Sequence, residues 1–110
     1  MAGVKDGPES AQLVTRSTVS DGVALVTVRG EVDLANVPAL ERALLPLLAR
    51  SDVDVLVVDL SGVQFLDSSA IAVLLRARSS GKAVLLREPS TAVRQLIEVT
   101  GLGDVLRTES

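Results

Sequence analysis

The sequence predicts one α/β domain, a mixed central sheet of four to five strands flanked by helices. Three observations predict it. Apolar runs of strand length alternate with runs at helical spacing, in the order β-β-α-β-α-β-α with a candidate final β. The run Val55 to Leu60 is apolar except at Asp59, as in strands buried on both faces. Asp21-Gly22 joins the first two strand candidates as a hairpin, whereas helical crossovers join the later ones and favour parallel pairing.

Residues 1–11 hold Gly3, Gly7, Pro8 and three charged side chains, with little to bury, and are expected as a flexible tail before a domain spanning 12–110. Leu13 to Thr18 is a modest strand candidate. Val23 to Arg29 is a stronger one, rich in β-branched residues, and Gly30 ends it. Asn36 is read as a helix N-cap, with Pro38 in the first turn, where its missing N–H is harmless. Leu40, Leu44, Leu47 and Leu48 form the apolar stripe of that helix, and Pro46 is expected to kink or loosen its last turn.

A helix from Ser69 to Ser79 follows the buried strand. Ile71, Leu74 and Leu75 share its core face, and Val73 lies off that stripe, pointing outward. Ser80-Gly81-Lys82 turns into a short strand, Ala83 to Leu86. Pro89-Ser90 opens the last helix, with Val93, Leu96, Ile97 and Thr100 on one face. Gly101-Leu102 reads as its stop, the glycine supplying a left-handed residue. Val105 to Arg107 is a candidate edge strand.

Composition narrows the function classes. Hydrophobic residues make up 47% of the 110, yet aromatic content is 1%, the single Phe65, so the core must be aliphatic and base stacking has almost nothing to use. A net charge of −3 argues against binding a phosphate backbone, and no nucleic-acid partner is expected. Cysteine and histidine are absent, which excludes disulfides, thiolate nucleophiles, imidazole metal ligands and histidine-assisted catalysis. No cofactor, no metal and no catalytic residue is expected. The chain has no apolar stretch of bilayer length and its first residues are polar, so the expectation is cytoplasmic residence without direct membrane insertion.

The most informative segment is Val55 to Leu75, in which a buried strand, a loop and an Asp67-Ser68-Ser69 helix start follow one another. Hydroxyls at such a junction lie beside unsatisfied backbone N–H groups and the positive end of the helix dipole, where a phosphate is tolerated. From spacing alone, Asp-Ser-Ser is a helix cap or a functional loop. Asp33, after Gly30-Glu31, is a solvated turn residue or a second acidic group of the site. Asp59 is read as a loop-stabilising acceptor.

Three stretches resemble the STAS domain family and, within it, the small bacterial anti-sigma-factor antagonists. They are Val28-Arg29-Gly30-Glu31-Val32-Asp33; Val57-Val58-Asp59-Leu60-Ser61 through Phe65-Leu66-Asp67-Ser68-Ser69; and Val93-Arg94-Gln95-Leu96-Ile97 to Thr100-Gly101-Leu102. The resemblance implies a domain that, unphosphorylated, binds an anti-sigma factor that is also a serine kinase, and so releases a sigma factor. Phosphorylation of the serine after the motif aspartate ends the binding, and a serine phosphatase restores it.

Carried onto this sequence, the resemblance makes Asp67 the motif aspartate, Ser68 the phosphoacceptor and Ser69 its neighbour, with Asp33 close by. Asp33, Asp67, Ser68, Ser69 and Ala70 are then the expected partner-binding residues. The match departs at Ala70 and Ala72, where the family has Gly-x-Gly; alanine favours helix by about 1 kcal/mol per residue. A second reading within the same fold is a STAS subunit of a transporter-associated or stress-sensing assembly without phosphoryl control. An enzyme using Asp33 and Asp67 as paired carboxylates is the reading from another class. It lacks a histidine, a phosphate-cradling Gly-rich loop and an evident metal cluster, so the domain is expected not to be an enzyme.

Overall fold

A computed structural model describes residues 13–109, and the expected tail at residues 1–11 lies outside them. The element order is β1 (Val14–Ser20), β2 (Val23–Arg29), α1 (Val37–Leu48), β3 (Val55–Gly62), α2 (Ser68–Ser79), β4 (Ala83–Arg87), α3 (Thr91–Val99) and β5 (Arg107–Glu109). One five-stranded sheet has the spatial order β1-β2-β3-β4-β5. β1 runs antiparallel to β2, and the other neighbours are parallel. Asp21 and Gly22 both have positive φ, 54° and 81°, which is the twist a two-residue hairpin demands.

Each crossover steps one strand along the sheet in the same direction, so the helices collect on one face. Ala24, Val26 and Val28 of β2, Leu56, Val58 and Leu60 of β3, and Val84 and Leu86 of β4 share a single core with α1, α2 and α3. Burial on both faces, expected for β3, holds at one residue of the second face. Val57 is buried there, in register with Leu25 and Leu85, while Val55 and Asp59 are only half-buried. The core is aliphatic, and Phe65 stands outside it.

Three local features differ from the sequence reading for identifiable reasons. Asn36 has helical backbone angles and makes no capping bond, so it is not the N-cap of α1 in the expected sense. Val105-Leu106 is not a strand. The amides of Val105 and Leu106 both donate to the Leu102 carbonyl, at 3.0 and 2.8 Å, and this turn drives Leu106 fully into the core. Sheet pairing begins only at Arg107, opposite Leu85. Val73 does not point outward: it is buried beside Leu44, Leu45 and Leu48, because α1 covers that side of α2. α1 itself continues through Pro46 to Leu48.

The end of α3 follows its sequence signal. The Leu102 amide donates to Ile97 and the Gly101 amide to Glu98, both at 3.0 Å, closing the two bonds of a Schellman stop around Gly101 at φ 74°. A methyl group built on Gly101 meets no atom within 4 Å, so only backbone strain opposes a side chain there. Gly101→Ala is expected to cost about 1–2 kcal/mol. Thermal unfolding should register this as a fall of at least about 4 °C in the midpoint.

Candidate functional site

The three helices all begin at the edge where the parallel strands end, and ligand-binding loops gather at that edge in open α/β sheets. Two of the loops there are sewn together. Val32, in the β2–α1 loop, and Leu66, in the β3–α2 loop, form an isolated parallel bridge. The Val32 amide donates to the Phe65 carbonyl at 3.3 Å, and the Asp67 amide to the Val32 carbonyl at 3.1 Å. Val32 and Leu66 are both buried, 1% exposed, so the contact is anchored in the core.

Asp67 caps α2. Its Oδ1 accepts the Ser69 amide at 3.0 Å and the Ser69 hydroxyl, and its backbone is extended, as a cap requires. These bonds, the Ser69 hydroxyl first, together with the Ala70 and Leu34 amides, outweigh partial burial and hold its carboxyl below the usual carboxylate range. The Leu34 amide, the smallest of these contributions, comes from the other loop.

Asp33 performs the capping expected of Asn36. Its Oδ1 accepts the Ala35 and Asn36 amides, each at 3.0 Å, while Asn36 Oδ1 accepts the Asp33 amide at 2.9 Å and Asn36 Nδ2 donates to the Glu31 carbonyl at 2.8 Å. The pair forms a reciprocal cap one turn earlier than predicted. Asp59 accepts the Ser61 amide at 2.9 Å, the loop-stabilising role read from sequence.

Ser68 is the first residue of α2 and is exposed. Among the described residues nothing hydrogen-bonds its hydroxyl. Ser69 is half-buried and spends its hydroxyl on Asp67, so the two adjacent serines have different jobs. The expectation that Ala70 meets a partner is corrected: its methyl is 0% exposed, turned under the helix into the core. Ala72, one turn beyond Ser68, is exposed instead.

Two residues that sequence reasoning did not assign border the same place. Leu34, 75% exposed, follows Asp33, and Phe65, 49% exposed, precedes Leu66-Asp67. Their signal was present, since an apolar residue between Asp33 and Asn36 and the one aromatic residue both sit in loops. Large apolar side chains left in water beside an acidic, hydroxyl-bearing helix start make a surface suited to a protein partner.

A family model described as "Mlab, STAS domain" matches residues 16–108. The chain belongs to the STAS domain family. It is 33% identical over 110 residues to the anti-sigma-F factor antagonist RsfA of Mycobacterium tuberculosis, a match covering 96% of this chain and 86% of that one. An anti-sigma-B factor antagonist of Staphylococcus aureus is 30% identical over 94 residues, covering 82% and 86%. The crystal structure of an anti-sigma factor antagonist from Mycobacterium paratuberculosis superposes with a TM-score of 0.80 at 31% identity, over 94% of this chain and 89% of that one. No helix among the described residues is long and apolar enough to cross a membrane.

The lowered Asp67 titration gives a signed pH dependence. A carboxyl depressed on folding contributes stability that is complete above its unfolded value, about 3.9, and disappears as pH falls through the lower folded value. Asn can still cap, so Asp67→Asn removes mainly the charge. Denaturation at pH 7 should find the variant less stable than wild type by about 1 kcal/mol. That gap should shrink steadily as the titration is carried below pH about 3.9.

Proposed function

We propose that this STAS domain is an anti-sigma-factor antagonist that docks an anti-sigma factor on the Asp33–Leu34 and Phe65–Ser69 surface and is switched by phosphorylation of Ser68. The observation that carries the reading is the Ser68 hydroxyl, exposed and unbonded at the first position of α2, beside the bridged loops that carry exposed Leu34 and Phe65. The names of the relatives from M. tuberculosis and S. aureus support the partner class. The partner is an anti-sigma factor with serine-kinase activity, and a serine phosphatase resets the domain.

Two opposing effects decide what phosphate does. It adds about −1.5 to −2 charges next to Asp67. Attraction to the start of α2 is worth about 0.3–1 kcal/mol at an exposed position and favours the modified domain's own fold. In a docked complex the same charge must be stripped of water, at a cost of several kcal/mol per ion when unpaired. The second effect is larger. Phosphorylation therefore dissolves the complex and leaves the monomer folded.

Ala70 and Ala72 favour the second reading, a STAS subunit of another assembly without phosphoryl control, because alanine stiffens the helix start a kinase must reach. One experiment separates the two. Wild-type and Ser68→Asp chains serve as baits in a lysate of the native organism. The captured anti-sigma factor is then purified and incubated with the wild-type chain and ATP. The expected outcome is capture by wild type alone and phosphate mapped by mass analysis to Ser68. Equal capture by both baits, or a chain that stays unmodified, removes the phosphoswitch.

A further inference from the structure

Glu88 stands in a backbone conformation that its side chain does not favour. Its φ is 52°, in the left-handed region where glycine and asparagine are at home, and it precedes a proline, which pushes a residue towards extended angles. Asp21, the other non-glycine residue with positive φ among those described, is explained by its hairpin. At Glu88 the backbone is held from both sides. Its amide donates to the Glu109 carbonyl at 2.7 Å, fixing β4 to β5, and Pro89 is buried. Glycine or asparagine would satisfy both restraints at lower cost. What glutamate adds is a carboxylate.

That carboxylate is exposed and pairs with no described residue. Glu88 lines a notch of about 270 Å³ with Ser61, Gly62, Val63, Gln64 and Ser90. Neighbouring cations are otherwise placed. Arg87 pairs with Glu109, and Arg29 packs against Gly62 without lining the notch. The notch is continuous with the site above, because the Ser90 hydroxyl donates to the Gln64 carbonyl at 2.7 Å and Gln64 is joined to Phe65. The loop that carries Glu88 is thereby fixed to the loop that carries Asp67 and Ser68.

We infer that the docking surface extends into this notch, where Glu88 receives an arginine or lysine side chain of the anti-sigma factor. The inference rests on the proposed function and deepens it. Glu88 is the one charged residue lining the notch, and Ser61 and Gln64 beside it can turn acceptor oxygens to a ligand. A guanidinium or ammonium offers only donors, which is the complementary set. A strained, over-determined residue carrying an unpaired charge beside a binding surface is where strain has a use.

The test uses the purified anti-sigma factor from the capture experiment, with calorimetric titration of wild type, Ser68→Asp, Glu88→Gln and Glu88→Gly at two salt concentrations. Glu88→Gln keeps the shape and removes the charge. It should bind about tenfold more weakly than wild type, with a smaller salt dependence and an unchanged melting temperature. Glu88→Gly should bind as weakly while melting higher, since it relieves the left-handed strain. Binding by Glu88→Gln within twofold of wild type, while Ser68→Asp is impaired, overturns the notch proposal and leaves the functional reading standing. A Glu88→Gln chain that melts lower in step with its lost affinity also overturns it, by making Glu88 structural. Failure of the wild type itself to bind brings down both.

Discussion

Val32 and Leu66 lie in separate loops, yet each loop spends its backbone on the other. The Val32 amide and carbonyl are both taken by the 65–67 segment, and the side chains of Val32 and Leu66 close the core beneath. This bridge fixes where α1 and α2 begin relative to one another. Without it, Asp33 and Asp67 would cap two independent helices, and Leu34 and Phe65 would have no reason to share a surface. The rigidity comes from burial rather than from the exposed polar groups, because an apolar pair sealed in an aliphatic core cannot be exchanged for water at low cost.

Capping then divides the polar atoms of the site. Asp67 and Ser69 are consumed by each other and by the first turn of α2, and Asp33 and Asn36 by the turn before α1. Every acidic oxygen that holds the frame is thus engaged in holding it. Among the described residues, the geometry leaves the Ser68 hydroxyl over. A serine one position later in the same helix has a different fate only because its N2 position brings it within reach of the capping carboxylate.

Most of the fold was legible because its signals are local. The Asp21-Gly22 turn, the Asp67 helix start and the Gly101-Leu102 stop each depend on residues a few positions apart, and each was read correctly. Val73 failed for the opposite reason. Its burial comes from α1, a different element, so the periodicity of α2 alone could not reveal it. The same holds for Leu106, whose turn competes with strand pairing, and for the α1 cap. Asn36 and Asp33 are both good cap residues, and only the bridge at Val32 decides that Asp33 is close enough to take the role. Ala70 was assigned to the surface by motif and buried by helix phase: residues 70, 71, 73, 74 and 77 form one wide inward arc.

The division of labour among the polar groups suits the site to the proposed role of a binary device. A modification that had to displace Asp67 or Ser69 would unravel the start of α2 and change the fold together with the surface. Ser68 makes no bond that must first be broken, so its chemical state can change while the cap, the bridge and the core keep their geometry. The free energy of that change is therefore felt almost entirely where the hydroxyl meets another molecule. In a flexible loop, part of it would be dissipated in rearrangement. Here the loop is clamped at Val32 and at Ser90, so under the proposed switch the surface presented to a partner would differ between the two states in charge and size at one side chain and in little else.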